Sequence, residues 1–175
     1  MASIFMRIDG LTDVKGAATV EDIGGKKGFF AINSMNWSAA RSVSVNIGNA
    51  NNADTGTISS NPISISRASD GASPYLTTFL FAPGKDGRTI EIVLTKPDRG
   101  GEGVVPYLII TLEGARVGDY AVSGFDGGLP DESFSLVYTS ISQVYYYEDQ
   151  DGTISKGDTV KFDCPTAKLV SKANL

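Results

Sequence analysis

Apolar and polar residues alternate along most of the chain, beginning with Ile4, Met6 and Ile8, which are separated by Phe5 and Arg7. A period of two places successive side chains on opposite faces of a strand, so the pattern predicts a chain built mainly of strands. Further strand-like runs lie at residues 29–37, 41–47, 63–65, 89–95, 104–112, 120–123, 133–147, 160–162 and 168–170. The sequence therefore predicts about nine strands.

The run at residues 104–112 is apolar on both faces. A strand of this kind has to be covered on two sides. We therefore expect a helix or another protein to pack against it.

One segment has helical spacing. Ser73 is a good N-cap, Pro74 suits the first helical position, and Pro83-Gly84 ends the helix. The apolar stripe between these signals consists of Tyr75, Leu76, Phe79 and Leu80. A helix of about ten residues is unstable alone in water, so it has to pack on the strands. The chain is therefore predicted to be all-β (mainly β), a two-sheet β-barrel or sandwich with one short flanking helix, in a single domain over residues 1–175.

Small polar side chains dominate residues 48–61, where Ile58 is the one large apolar residue. This segment is predicted to be a long loop. Long loops inside compact domains are uncommon and often carry function. Two interpretations stay open: a surface loop without a specific role, and a loop used for assembly or binding.

Histidine is absent and Cys164 is the only cysteine. Ser-His and Cys-His nucleophile pairs, imidazole metal ligands and an internal disulfide are therefore excluded. We predict no catalytic residue, no metal ligand and no cofactor, and we do not expect an enzyme. The net charge of −5 argues against nucleic-acid binding, because gripping phosphates needs a positive surface.

The segment from Asp149 to Asp158 resembles part of a calcium loop, but Tyr147 stands where the first acidic ligand belongs. Asp151-Gly152 is also a strong hairpin signal. A turn is therefore favoured, and calcium binding stays open.

Three consecutive tyrosines, Tyr145, Tyr146 and Tyr147, follow a strand-like run. On a strand the first and third share a face. Tyrosine is common at interfaces, so strand packing or a protein interface is favoured over a carbohydrate-stacking surface. The acidic residues that follow argue against base stacking on nucleic acid.

The N-terminus has neither the basic start nor the apolar run of a signal peptide, and no run of 18 apolar residues exists. A single thiol suits a protein that matures in a reducing cytoplasm. We therefore expect no membrane insertion and no use of the general secretory route.

Several segments of the chain match the pattern of one known family. The strongest is Tyr-Leu-Ile-Ile-Thr-Leu-Glu at residues 107–113, placed after the predicted helix. The others are residues 5–10, 14–16 and 32–37, the Ser73-Pro74 helix start, residues 132–138 and residues 147–152. Together these segments resemble the haemolysin-coregulated protein (Hcp) family, the tube protein of the bacterial type VI secretion system, and the resemblance covers residues 3 to 163.

The resemblance implies a structural subunit that forms homohexameric rings, which stack into a hollow tube expelled by a contracting sheath. The implied partners are further copies of the chain, the sheath and spike components, and small effector proteins carried in the ring lumen. An early extended loop of the family joins neighbouring subunits and rings. The matching candidates for this loop are Asn49, Asn51, Asn52, Asp54 and Thr55, and Gly118 and Asp119 are the candidate lumen-facing residues.

Other functions remain as alternatives. A tail-tube protein of a phage-like particle would use the same architecture, and the tyrosine cluster leaves a glycan-binding β-sandwich open. The resemblance also implies synthesis in the bacterial cytoplasm and secretion without a signal peptide. Because the sequence ends at Leu175, soon after the last predicted strand, we expect no fused toxin domain.

Overall fold

The computed structural model of the protein describes residues 3–16, 18–20, 22–44, 48 and 53–174. These residues form twelve strands and one helix. In chain order the elements are β1 (Ser3–Ile8), β2 (Phe30–Ile32), β3 (Ser34–Asn36), β4 (Ala39–Ser44), β5 (Ala53–Ser60), β6 (Ile63–Ala68), α1 (Ser73–Phe81), β7 (Arg88–Pro97), β8 (Val104–Ser123), β9 (Asp131–Val137), β10 (Ser140–Glu148), β11 (Ile154–Asp163) and β12 (Lys168–Ser171). The mainly β fold with one short helix is confirmed.

Ten of the strands form one antiparallel sheet that folds back on itself as two layers. The first layer runs in the order β12-β11-β10-β8-β7-β1-β2, and the second runs β3-β6-β9-β8. The amide of Asn33 donates to the carbonyl of Ser66 at 2.9 Å, which joins the β2–β3 connection to β6 and closes the barrel. Strands β4 and β5 form a separate two-stranded ribbon.

Strand β8 belongs to both layers. Its first half pairs with β7 and β10, and its second half pairs with β9. The sequence predicted two strands here, at 104–112 and 120–123, and that separation is wrong because the chain continues to pair through Gly114. Gly114 has a φ of 59°, a conformation that costs glycine little and lets the strand bend between the layers.

The predicted loop at residues 48–61 is wrong for its second part, because residues 53–60 form β5. This strand pairs with β4, so that Ala39 lies opposite Ser60 and Val43 opposite Asp54. The small side chains of β5 carry little intrinsic preference for a strand. Its neighbour supplies the pairing, and this is why the sequence alone did not predict it.

The helix begins where the sequence predicted, but its cap is different. Ala72 is the N-cap and makes no side-chain hydrogen bond to the helix, whereas Ser73 is the first helical residue. Leu76 and Phe79 are buried, and Leu80 packs at the edge of the core. The helix therefore covers the barrel with part of the predicted stripe.

The main core lies between the two layers, and a second, smaller cluster lies outside the first layer. Phe5 and Val93 of the sheet meet Ile23 and Phe29 of the segment before β2 in this second cluster. The doubly apolar strand is thus covered on both sides, as predicted. Its second cover includes residues of a glycine-rich segment, where we had expected a helix or another protein.

Candidate functional site

The outer face of the second layer, on the side away from the core, carries short polar side chains. In strand register, Ser34 lies opposite Ser66 and Ser66 opposite Ser133, while the next such row runs from Asn36 through Ser64 to Ser135 and Asp119. We call this surface the hydroxyl face, and it comprises Ser34, Asn36, Ser64, Ser66, Ser133, Ser135 and Asp119. All seven are exposed or half-buried.

Hydrogen bonds between neighbouring strands hold part of the hydroxyl face in place. The Ser135 hydroxyl donates to Asp119 Oδ2 at 2.9 Å and accepts the Asp119 amide at 3.1 Å. The hydroxyl oxygens of Ser34 and Ser66 are 2.5 Å apart. Hydroxyl, carboxamide and carboxylate groups can all accept hydrogen bonds from a partner, and only the carboxylate of Asp119 adds charge. Such groups can hydrogen-bond to a polar surface, and Val137, two residues from Ser135 on the same side of β9, adds an apolar side chain that is 40% exposed.

The two candidate lumen residues lie on this face. Gly118 occupies an irregularity in the pairing of β8 with β9, and both Gly118 and Asp119 are exposed. A Cβ atom on Gly118 would lie 3.0 Å from the Ser135 hydroxyl oxygen, so this position also faces β9. The structure thus brings Gly118, Asp119 and Ser135 together.

The candidate assembly residues are described only in part. Asn49, Asn51 and Asn52 lie outside the described residues. Asp54 and Thr55 belong to β5, near its start. Their use in assembly therefore stays a prediction, now attached to the β4–β5 ribbon.

Beneath the hydroxyl face, at one end of the core, lies a buried group of charges. Arg67 on β6 is 1% exposed and Glu132 on β9 is 2% exposed. Arg67 Nη1 donates to Glu132 Oε1 at 2.5 Å, and Arg67 Nη2 lies 2.5 Å from Asp70 Oδ1. The guanidinium also lies over the Phe30 ring, 5.0 Å from its centre. This cluster joins β2, β6, β9 and the approach to α1, so removing one of its charges would leave another buried without its partner.

Three hydroxyl groups complete the hydrogen bonding of Glu132. Ser73, at the start of α1, donates to Glu132 Oε1 at 3.1 Å. Tyr120 on β8 donates to Glu132 Oε2, and Ser69 donates to the same oxygen at 3.4 Å. Burial raises the pKa of Tyr120 to about 12, and the carboxylate of Glu132 adds to this shift. Tyr120 therefore stays neutral and continues to donate this hydrogen bond at any physiological pH.

The turn at residues 149–153 is a hairpin turn between β10 and β11. The Asp149 amide donates to the Thr153 carbonyl at 2.9 Å, and the Gly152 amide donates to the Asp149 carbonyl at 2.9 Å. Asp151 Oδ1 accepts the Thr153 amide at 3.0 Å, which lowers the pKa of Asp151. No group of three acidic, histidine or cysteine side chains with metal-binding geometry occurs among the described residues.

The tyrosines divide as predicted for a strand. Tyr145 and Tyr147 are more than half exposed, whereas Tyr146 is half-buried. Tyr146 borders a cavity of about 300 Å³ beside Phe29 and Pro106, on the outer side of the first layer. The arrangement suits packing against protein.

Cys164 is half-buried, and its amide donates to the Thr139 carbonyl at 2.8 Å. Burial raises the pKa of its thiol, and the nearby carboxylate of Asp163 raises it further. A thiol with a raised pKa is a poor nucleophile at neutral pH.

Neither the hydroxyl face nor the buried charges were predicted from the sequence. The sequence does contain a signal for the hydroxyl face, since Ser64 and Ser66 alternate with isoleucines while Ser133 and Ser135 flank Phe134. The buried charges could not be read from the chain, because Arg67 and Glu132 are 65 positions apart.

The comparisons with known families and with solved structures agree with each other. The sequence model of the family described as "Type VI secretion system effector, Hcp" matches residues 5–145. No curated protein sequence matches the chain. None of the helices in the described part of the chain has the length and apolar character needed to cross a membrane.

Solved structures share the fold over nearly the whole chain. A chain described as "Structure of a type six secretion system protein" aligns with a TM-score of 0.80 at 19% identity, covering 97% of this chain and 99% of that chain. Hcp1 from Salmonella typhimurium aligns with a TM-score of 0.67 at 20% identity and the same coverage. Secreted protein Hcp3 from Pseudomonas aeruginosa aligns with a TM-score of 0.56 at 19% identity, covering 93% of this chain and 98% of that chain.

Proposed function

Since this chain belongs to the Hcp family of type VI secretion proteins, we propose that six copies close into a ring around a lumen and that these rings stack into a hollow tube. The protein is a structural tube component and not an enzyme, and the proteins of its family are secreted by the type VI system.

The hydroxyl face is the proposed wall of the lumen, and it is the observation that carries the proposal. A wall past which cargo has to move should lack large apolar side chains, because each such side chain would bind tightly to apolar surface. Strands β6 and β9 meet this requirement over most of their length by alternation, with isoleucine, phenylalanine and leucine inside and serine outside, and Val137 at the end of β9 is the exception. Gly118 and Asp119 lie on the same wall.

Small effector proteins are the proposed cargo. In a sixfold ring the hydroxyl face would repeat six times, and each copy would contribute the carboxylate of Asp119. Hydrogen bonds to the serine hydroxyl groups would hold a folded protein weakly at many points, because each exposed bond contributes little on its own. Such a lumen suits cargo with a polar surface.

The β4–β5 ribbon is the proposed contact between rings and neighbouring subunits. Asn49, Asn51, Asn52, Asp54 and Thr55 are its candidate residues, in keeping with the family's early extended loop. Their side chains are short and polar, so they are suited to hydrogen bonding at a reversible contact.

The proposal also covers the domain organisation, the place of synthesis and the surroundings of the tube. The whole of residues 1–175 acts as one tube domain, made in the bacterial cytoplasm and expelled without a signal peptide. The sheath surrounds the tube and the spike sits on its end. The family match favours this role over a phage-like tail tube and over the glycan-binding alternative raised by the tyrosines.

Electron microscopy with a position-specific label tests the lumen assignment. Cys164 is first replaced by alanine, and one cysteine is then introduced by Ser133→Cys on the hydroxyl face. The matched control is Lys27→Cys, an exposed residue of the segment that covers the opposite side of the barrel. A gold-labelled maleimide should give central density with Ser133→Cys and peripheral density with Lys27→Cys.

Two results would contradict the proposal. A wild-type protein whose mass stays at the 18.4 kDa of one chain at every concentration would overturn the ring. Rings with peripheral gold from both variants would overturn the hydroxyl face as the lumen wall while leaving the ring intact.

A further inference from the structure

An apolar groove lies where strands β10 and β11 face the base of the β4–β5 ribbon. Its lining includes Trp37, Ile58, Ile141, Val160 and Phe162, and its volume is about 130 Å³. Apolar cavities of about 150 Å³ are large enough to bind benzene, so the groove can take one large side chain. Ile58 remains 41% exposed at its rim, so no described residue of the chain fills the groove.

Strand β12 extends the apolar surface of the groove. Leu169 lies opposite Phe162 in the pairing of β11 with β12, which puts both side chains on the same face of the sheet. Leu169 is 53% exposed and Val170 is 60% exposed. β12 is also the edge of the first layer, and its outer side is unpaired among the described strands.

A second group of exposed apolar side chains lies on the β8–β9 hairpin. Val122, Phe125 and Leu129 are all more than half exposed. Residues 116–123 of β8 pair with β9 alone, so the other side of this segment is an open strand edge within the described part of the chain. Open strand edges readily pair with another chain.

The β8–β9 hairpin is acidic, and the C-terminal segment beside the groove is basic. Residues 121–131 contain Asp126 and Asp131 and no lysine or arginine. Residues 164–175 contain Lys168 and Lys172 and no acidic residue, and Asp163 of β11 lies opposite Lys168 in the strand pairing. Complementary charge of this kind favours association of one surface with the other and disfavours association of either with itself.

The two surfaces also lie at opposite ends of β9. The hairpin leads into the start of β9 at Asp131, whereas the groove residue Trp37 donates to the hydroxyl of Tyr138, directly after the end of β9, at 2.7 Å. A closed ring of identical copies requires two different, complementary surfaces on each copy. The groove with β12 and the β8–β9 hairpin are two such surfaces.

We propose that the β8–β9 hairpin of one copy docks on the apolar groove and strand β12 of the next copy. This inference rests on the proposed ring and adds its subunit contact. The exposed apolar side chains of the hairpin cover the groove, and Asp126 and Asp131 lie toward Lys168 and Lys172 of the neighbour.

Mixing two variants, each with one surface blocked, tests this contact. The hairpin variant carries Val122→Glu and Leu129→Glu, and the groove variant carries Ile58→Glu and Leu169→Glu. All four side chains are exposed, so the single chain should still fold. Each variant alone should lose the ring and run at the mass of one chain in native mass spectrometry. Mixed in equal amounts, they should form a dimer, because one intact surface remains on each partner and no further copy can be added.

Charge reversal provides an independent measurement. Asp126→Lys with Asp131→Lys should weaken the ring at low salt, and so should Lys168→Glu with Lys172→Glu. All four changes in one chain should restore the ring, because the attraction returns with its sign exchanged. Phe81→Glu is the matched control, since Phe81 is 82% exposed at the end of α1, outside both surfaces, and this change should leave the ring unaltered.

The outcomes separate the two proposals. Wild-type rings that persist in both blocked variants would overturn this contact and leave the ring itself intact. Homodimers of either blocked variant would overturn the head-to-tail arrangement. A wild-type protein that never associates would overturn the ring, and the contact with it.

Discussion

The two faces of the second layer come from the same strands and differ in almost every chemical property. Toward the core, Ile63, Ile65, Phe134 and Leu136 are buried, and Arg67 and Glu132 form a charged group at one end. Toward the outside, most alternate positions carry serine, asparagine or aspartate, with Val137 at the end of β9. The core side decides whether the barrel forms. The hydroxyl face contributes little to the core, so its residues can change without disturbing the barrel.

The same strands therefore build the core with one face and, in the proposed ring, the wall of the lumen with the other. Since successive residues of a strand point to opposite sides, a substitution on one face leaves the other face in place. The consequences of substitution should therefore depend strongly on which face is changed, and neighbouring residues should differ sharply.

The largest loss of stability should come from removing the buried charge of Glu132. In Glu132→Gln, Arg67 loses its fully buried carboxylate partner, and breaking a pair of this kind typically lowers the free energy of unfolding by about 3–5 kcal/mol. Urea unfolding followed by circular dichroism measures the change. Glu102→Gln, at an exposed loop position, is the control, and equal losses in both would show that burial of Glu132 does not matter.

A core truncation should come next. Leu136 is fully buried, so Leu136→Ala should lower the free energy of unfolding by about 2–5 kcal/mol through lost burial and the cavity left behind. The adjacent Val137 is 40% exposed and provides a matched control. If Val137→Ala proved as costly as Leu136→Ala in the same urea titration, the assignment of the two faces would be wrong.

Tyr120→Phe removes a single hydrogen bond to Glu132 and should cost about 1–3 kcal/mol. It should also change the pH dependence. The folded-state pKa of Tyr120 is raised to about 12, so its contribution is complete below pH 10 and is lost as the pH rises from 10 to 12, where the unfolded chain ionises first. Unfolding measured between pH 9 and pH 11 should show a steeper loss of stability for wild type than for Tyr120→Phe. Parallel curves would refute the role of this hydroxyl.

The smallest effect on stability belongs to the hydroxyl face. Ser135→Ala removes the exposed hydrogen bond to Asp119 and should change the free energy of unfolding by no more than about 0.5 kcal/mol. If Ser135→Ala lowered the free energy of unfolding as much as Leu136→Ala, its neighbour on the opposite face, the proposed difference between the two faces would be wrong.

Much of the fold could be predicted because alternation is a local signal. Residues 63–65 and 133–139 revealed which side chains face inward, and the Asp-Gly pair at 151–152 marked a hairpin. The features that escaped prediction depend on distant partners. β5 is a strand because it pairs with β4. Ser73 does not cap the helix, and its hydroxyl group donates to the carboxylate of Glu132.

The candidate site was predicted in part. Asp119 lies on the hydroxyl face, and its place at a lumen stays a prediction from the family resemblance. Its serine neighbours on β6 and β9 were not identified from the sequence. Their spacing alone does not distinguish a functional surface from any solvated strand face. Only the register of three strands brings Ser64, Ser135 and Asp119 into one row.

Strand β8 has a mechanical consequence for the proposed tube. Its twenty residues run without interruption from one layer into the other. A load applied to the second layer therefore reaches the first through covalent backbone as well as through hydrogen bonds. Sliding one layer over the other would require breaking the ladders on both sides of β8, so the wall should resist shear as one stiff body.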